Sequence, residues 1–479
     1  MEAPRRPVWV QAADVAAVAF ALLGLFVLIF GGFVLHVGPA QIRVHAAARL
    51  LFIAAALIAI RHTAHPSDPL HRRVLRGLRS QGESAQTIVR FAIGTRIAVL
   101  ACAYFAVVTV GLSLPQVGFT VSSDPLTNLP ARFDAGWYTT IALDGYYFEG
   151  RFDKQQNIAF FPAFPMLERI VGYPFGAFAP ALPSERRTAR LLWAGVAISI
   201  AAFAWAAVYL WRLARETIGE SKAADAVALL AAYPFAAFFS AAYTESLFLL
   251  GAVGAVYHFR RRELLKAAAW GLLVGLTRPN GCFLSIVLLV FLLSDLWNLN
   301  SAIPQSRDSA IPRRNFFTSL AAAAAPGIGM LIYSAYVKHL TGAWFGWARL
   351  HETWGRSYTG LAPMERAYGW ITDEGLLHVV QGVPFDTLNS LGLIFALLML
   401  WAVFRRLGLA YVVFVLVNIV PPLLAGGVLS MGRVTATLFP LFLALAGSLS
   451  QRAVTAVVIA SAVGQGLVTV LFFTWRPLF

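Results

Sequence analysis

The sequence predicts an all-α polytopic membrane protein. Three observations carry that expectation. Hydrophobic residues fill 59% of the 479 positions and charged ones 13%, whereas a soluble domain is nearer one quarter charged. The mean hydropathy is +0.69. Apolar runs of bilayer-spanning length recur from end to end. A single integral membrane domain over residues 1–479 is expected, and the soluble classes are excluded.

In chain order, the runs place about 13 spans. They lie at residues 12–35, 46–60, 91–114, 190–211, 225–242, 244–259, 267–280, 282–297, 317–338, 386–404, 409–428, 434–450 and 453–473. The first follows Arg5 and Arg6, as a signal peptide would. It is longer than a secretory h-region and lacks an A-x-A site, so a retained helix is the expectation.

Basic residues set the orientation. Arg5, Arg6, Arg61, Arg72, Arg73, Arg76, Arg79 and Arg90 precede or follow the first two spans. Arg212, Arg215, Lys222, then Arg260, Arg261, Arg262 and Lys266, then Arg307, Arg313 and Arg314 fill later connections, with Arg405, Arg406 and Arg452 completing the set. All fall on one side if the N-terminus is cytoplasmic, as positive residues prefer. Two long connections, 115–189 and 339–385, are then extracytoplasmic. Both are rich in Trp, Tyr and Phe, and PMLERIVGYPFGAF reads as an amphipathic interfacial helix. The polar motifs TES (244–246), RPNG (278–281) and SMGR (430–433) end up on that same face, although none was used to choose it.

The net charge of +15 invites a nucleic-acid reading, but the cations sit between apolar runs, where they orient a membrane protein instead. Cys102 and Cys282 lie in or beside apolar segments without CxxC partners, so neither a disulfide framework nor a metal site is implied. The stretch SAIPQSRDSAIPRR reads as a flexible inner loop.

Residues 131–165 are polar and aromatic in an otherwise oily chain, and they gather Asp134, Asp144, Glu149 and Asp153. Carboxylates beside a membrane are costly and so need a reason. Asp134, just before Trp137 and Tyr138, can be a general base or can cap the helix DAGWYTTIAL. Asp144-Gly145 reads as a helix end and turn, and Glu149 and Asp153 as an ion-pair cluster with Arg151 and Lys154. In AFFPAFP, Pro162 and Pro165 make a rigid interfacial turn or line a groove for an isoprenoid chain. Glu245, with no basic neighbour, is a polar helical turn or part of a site. Arg278 and Arg433 can grip a lipid phosphate with a planar fork or snorkel to headgroups. Arg349, His351, Glu352, Trp354 and Arg356 form a further polar-aromatic cluster. A P-loop, a dinucleotide fingerprint, HExxH and D-x-D are all absent from the sequence. Cytoplasmic nucleotide chemistry and metal dependence lose support accordingly.

The segments RFDAGWYTTIALDGY, AFFPAFP, AYTESLFLL, LTRPNG, TGAWFGWARLHETWGR and SMGRVTATLFP, in that order, resemble the PIG-V-like mannosyltransferases, which include the second mannosyltransferase of GPI-anchor synthesis. The resemblance implies a GT-C-type fold and transfer, with inversion, from a polyprenyl-phosphate mannose donor to an acceptor hydroxyl; a glycan or glycolipid is the expected acceptor, and the sequence is equally compatible with a protein. It maps the catalytic carboxylate onto Asp134. Substrate contacts are expected at Trp137, Tyr138, Glu245, Arg278, Asn280, Arg349, His351, Trp354 and Arg433, with no metal or other cofactor. Phe133 stands where the family usually has Trp, and two spans precede the Asp-bearing loop where one is usual. High Ala and Arg with short loops suggest a prokaryotic plasma membrane.

Two other readings compete: a GT-C transferase of a different lipid-linked sugar, and a lipid or solute transporter. Transporters often hold ionisable groups at mid-membrane. On the span map all 23 acidic residues fall in loops or at helix ends, and Arg96, a few residues into a helix, is placed to snorkel.

Overall fold

The computed structural model describes residues 33–37, 40–44, 46–64, 83–113, 118–179, 182–300, 316–476 and 478, with scattered positions between 9 and 24. The expected span 12–35 lies largely outside them. So do Arg5, Arg6, Arg72, Arg73, Arg76, Arg79, Arg307, Arg313 and Arg314. Contacts divide the chain into two units, Met1–Gln86 and Thr87–Phe479.

The first unit holds a two-stranded antiparallel hairpin, Phe33–Val37 with Ala40–Val44, in which Phe33 faces Val44. The helix Ala47–Ala64 follows and covers the expected span 46–60. Outside that hairpin the regular structure of the described residues is helical.

Among the described residues seven helices are long and apolar enough to cross a membrane: Ala85–Thr109, Ser184–Thr217, Pro279–Leu296, Phe316–Thr341, Pro384–Leu407, Leu409–Gly426 and Gln451–Phe473. Each overlaps an expected span, and the protein is an integral membrane protein. The expected count of 13 is not reached, for local reasons. The run 225–242 becomes Glu220–Ala232 and Pro234–Ser240, bent by 82°, and counting that pair as one span gives eight. Pro234 has no N–H to continue the helix and forces Tyr233 into an extended conformation, ψ 137°. The run 267–280 keeps only Leu264–Gly275 as a helix. The run 434–450 holds Phe439–Ser448 after a short turn, Met431–Ala436. The run 244–259 is the 16-residue helix Glu245–Arg260, buried along almost its whole length. A helix walled in by other helices need not match bilayer thickness, so an apolar run alone overcounts spans.

Helices Ser184–Thr217 and Glu245–Arg260 form the buried centre of the second unit. Beside them, Leu264–Gly275 presses onto Phe316–Thr341. A Cβ added at Gly275 would fall 1.9 Å from the Pro326 carbonyl oxygen, so only glycine allows these backbones to meet.

Arg96 corrects the sequence reading. Its guanidinium does not snorkel but is fully buried, donating to the Ala231 carbonyl at 2.6 Å and to that of Ala236, over the Phe203 ring. It satisfies carbonyls freed at the Pro234 break.

The two long connections pack against each other. Ile158, Ala159 and Phe161 of the first share a core with Leu350 of the second and with Tyr333 and Val337 of the intervening helix. Tyr333 Oη donates to the Ile158 carbonyl at 2.7 Å, and Gln155 Nε2 donates to that of Thr353 at 3.2 Å.

Candidate active site

Asp134 stands at the N-cap of the helix Ala135–Asp144, yet its side chain caps nothing. Oδ2 instead accepts from Arg433 Nη1 at 2.9 Å, and Oδ1 has no partner among the described residues. The backbone is held just as firmly. Asp134 N–H donates to Tyr243 Oη at 2.9 Å, and that hydroxyl donates to the Arg132 carbonyl. Phe133, immediately before, adopts φ +39°, a conformation strained for a bulky residue. Its ring packs on Phe472 and Trp475, which holds the strained turn in place. Arg132 is buried and donates to the Phe473 carbonyl at 2.7 Å; burial lowers its pKa to about 10.

Arg433 comes from the short helix Met431–Ala436, entered through Ser430 at φ +61°. Besides Asp134 it reaches Glu245 Oε1 through Nε at 2.8 Å. Glu245, at the start of its helix, is fully buried and also pairs with Arg278 Nη2. Arg278 lies in extended backbone after Leu264–Gly275 and donates through Nε to Thr244 Oγ1 at 2.8 Å. One hidden carboxylate therefore fixes two guanidinium groups, each of which would be costly to bury alone.

These groups meet at a cavity of about 1190 Å³. Asp134, Trp137, Tyr138, Arg278, Asn280, His351, Trp354 and Arg433, all named by the sequence reading as catalytic or substrate-binding candidates, line it. Two of the expected contacts are placed differently. Glu245 lies behind the arginines, off the cavity wall. Arg349 is exposed, with its guanidinium 4.2 Å over the Phe152 ring, and does not line the cavity. The reason is local: Leu350 is the buried residue of that turn, which leaves its neighbour facing out. Asp144, Glu149 and Asp153 are also off the wall, and Arg151–Asp153 and Lys154–Glu149 form exposed pairs. Phe160 and Phe161 line the cavity, but Pro162 and Pro165 do not. Pro279, Phe283, Met330, Pro421, Pro422 and Leu429 give it an apolar side.

Arg356 is a cavity residue that sequence reasoning grouped with its neighbours and did not single out. Gly355, at φ +72°, turns the chain after His351–Trp354, and Arg356 Nη2 then donates to the Leu429 carbonyl at 3.3 Å. Burial, with the charge of Arg433 adding to it, brings its pKa down to about 10, against the opposing pull of Asp134. Burial and then the Arg356 charge push His351 down to about 4, so its imidazole is neutral near pH 7. Its Nε2 is sealed off without a hydrogen-bond partner. Burial, reinforced by Asp134 and Glu245, pushes the Tyr138 phenol up, so it stays protonated. Trp137 stacks on Phe160 at 5.8 Å, and Trp354 meets both rings edge-on. Among the described residues no three of His, Cys, Asp and Glu come together to hold a metal ion.

Residues 102–308 match the family model described as Mannosyltransferase (PIG-V). Over that span the chain is similar to the mannosyltransferase family that this model describes. The match takes in Asp134, Glu245 and Arg278 and ends before Arg356 and Arg433. A membrane glycosyltransferase is the activity class it supports. Comparison with curated protein sequences finds no match. Among solved structures, the chain is similar to an oligosaccharyltransferase of Archaeoglobus fulgidus solved with zinc and sulfate. The identity is 15% and the TM-score 0.39, over 78% of this chain and 53% of that one. It is similar also to the archaeal oligosaccharyltransferase AglB of the same organism, solved with an inhibitory peptide and a dolichol-phosphate, at 13% identity and TM-score 0.39, over 79% and 55%. The chain thus spans about half the length of these structures.

Proposed function

We propose that this protein is an inverting GT-C-type mannosyltransferase that uses a polyprenyl-phosphate mannose donor, with Asp134 as general base. The observation that carries this reading is one cavity holding a carboxylate with an unpartnered oxygen beside the guanidinium groups of Arg278, Arg356 and Arg433. Asp134 Oδ1 takes the proton of an acceptor hydroxyl as its oxygen attacks the anomeric carbon. The bond from that carbon to the phosphate oxygen breaks, and its electron pair leaves with a polyprenyl phosphate. That leaving group is a stable anion that needs positive charge around it rather than a general acid. The arginines supply the charge, and no metal is required. Attack from the face opposite the phosphate inverts the anomeric centre.

The apolar side of the cavity suits a lipid-linked donor. Trp137, Trp354, Asn280 and His351 line the same cavity, which supports contacts to sugar rings and hydroxyls. The distribution of Lys and Arg supports a cytoplasmic N-terminus and an extracytoplasmic site, in a prokaryotic plasma membrane.

The test is transfer of labelled mannose from polyprenyl-phosphate mannose in membranes containing the wild type or Asp134→Asn at equal abundance. The expected result is transfer by the wild type and a loss of about 10²–10⁴-fold in the variant. Transfer from a different lipid-linked sugar, with none from mannose, would move the reading to another GT-C donor. No transfer from any such donor would favour transport.

A further inference from the structure

Glu168 is a carboxylate that the mechanism above does not use. It is fully buried in the helix Ala163–Gly172, within a stretch expected to lie along the membrane surface, and it does not line the cavity. Thr139 Oγ1 donates to its Oε1 at 2.8 Å, while Oε2 is sealed off without a partner. Gly195 packs beside it, where a Cβ would lie 3.4 Å from Oε1 and 3.0 Å from the Ala242 Cβ. A buried carboxylate anion with one hydroxyl partner and no cation is a costly arrangement, and the neutral acid is not. Burial pushes its carboxyl well above the usual range, against the opposing Thr139 bond.

Its surroundings connect it to the reacting groups. Thr139 lies on the Asp134 helix, little more than a turn beyond Asp134. The next residue, Arg169, donates through Nη1 to the carbonyls of Ala142 and Leu143 at 3.0 and 3.2 Å, satisfying the C-terminal end of that helix. At its other end, the Glu168 helix donates from Ala163 N–H to the Leu276 carbonyl at 2.9 Å, two residues before Arg278. One short helix therefore touches both the segment that carries Asp134 and the segment that carries Arg278.

We propose that Glu168, acting as a neutral carboxylic acid, is a positioning residue that clamps the Asp134 helix through Thr139 and sets it in register with Arg278. The proposal rests on the transferase reading. It makes Glu168→Gln conservative, because an amide oxygen accepts the same Thr139 bond. Glu168→Ala and Thr139→Val each release the clamp.

The test measures kcat and KM for labelled mannose transfer, with thermal unfolding in detergent, for Glu168→Gln, Glu168→Ala, Thr139→Val and the Ala/Val double variant. The expected result is a kcat for Glu168→Gln within about threefold of wild type, and losses approaching 10²-fold for Glu168→Ala and Thr139→Val with KM little changed, as loss of alignment gives. The double variant should be no worse than either single one. Glu168→Gln as impaired as Glu168→Ala would overturn neutrality, and full kcat in Glu168→Ala would overturn the clamp. A wild type inactive with every lipid-linked donor refutes the transferase reading instead. The unfolding data then judge the clamp alone, which stands if Glu168→Gln matches wild type and the Ala and Val losses are not additive.

Discussion

Arg433→Lys is the perturbation that tests the site most sharply. The guanidinium reaches Asp134 Oδ2 through Nη1 at 2.9 Å and Glu245 Oε1 through Nε at 2.8 Å, two oxygens on different helices. A lysine brings a single point charge on a flexible stem, so it keeps the charge but not both directed bonds. Losing one charge-assisted hydrogen bond is worth about 1.5–3 kcal/mol. At 1.4 kcal/mol per tenfold, that becomes a loss of about 10–150-fold if the bond matters chiefly in the transition state. The assay is steady-state transfer of labelled mannose with purified protein in nanodiscs, at matched abundance and with thermal unfolding recorded alongside. We expect the loss in kcat rather than KM, because Arg433 orients Asp134. Arg433→Lys within threefold of wild type would refute the argument, since charge alone would then suffice. A loss confined to KM would also refute it, and would make Arg433 a donor-binding group only.

Other outcomes follow from the same geometry. Glu245→Ala leaves two buried guanidinium groups without their shared anion and should destabilise the folded protein by about 3–5 kcal/mol, read by denaturant or thermal unfolding. Because His351 is held at about 4 when folded and returns to an ordinary value near 6.5 when unfolded, the unfolded state binds more protons between those values. Stability should therefore be full above about pH 6.5 and fall as pH drops towards 4, and His351→Asn should flatten that part of a thermal-unfolding profile. Incubation with EDTA should leave transfer unchanged under the proposed mechanism, in which arginines supply the charge at the leaving group; a loss restored by a divalent cation would count against that. Arg349→Ala, exposed on Phe152, should keep transfer within about twofold of wild type, which activity measurements decide.

Much of this architecture is legible in the sequence, for a physical reason. A bilayer demands long apolar helices, so runs such as 386–404 and 453–473 are recognisable from composition alone. Burial inside the protein sets no such length, and that is where sequence reading overcounts. TES and RPNG each interrupt what looks like continuous oil: TES opens the buried 16-residue helix Glu245–Arg260, and RPNG separates the 12-residue helix Leu264–Gly275 from the span Pro279–Leu296. Arg96 shows the same limit. Its position in an apolar helix is visible, but the carbonyls it satisfies belong to a break about 140 residues away.

The site was legible where a polar residue stood in apolar surroundings, as Arg278 and Arg433 do, and where one polar-aromatic segment, 131–165, broke an oily chain and carried Asp134. Arg356 gives a weaker signal because Arg349, His351 and Glu352 crowd it, and only the turn at Gly355 decides which of them faces the cavity. Glu168 gives a misleading one. In PMLERIVG it reads as the polar stripe of an interfacial helix, and its burial depends on Thr139 and on packing beside Gly195. Spacing on one helix carries no information about either.

The arrangement of charge explains why Glu245 belongs to the site without facing it. Three arginines on the wall of one cavity repel one another, and a substrate phosphate present for only part of the cycle cannot hold them between turnovers. Asp134 could balance that charge, but a carboxylate fully engaged by guanidinium groups would be a poor proton acceptor. The structure divides the two tasks. Glu245, hidden beneath, takes Arg278 and the Nε side of Arg433, so that Asp134 spends only Oδ2 on Arg433 and leaves Oδ1 for the proposed proton transfer. Removing Glu245 should therefore cost rate even in protein that remains folded, because the freed guanidinium groups would turn to Asp134.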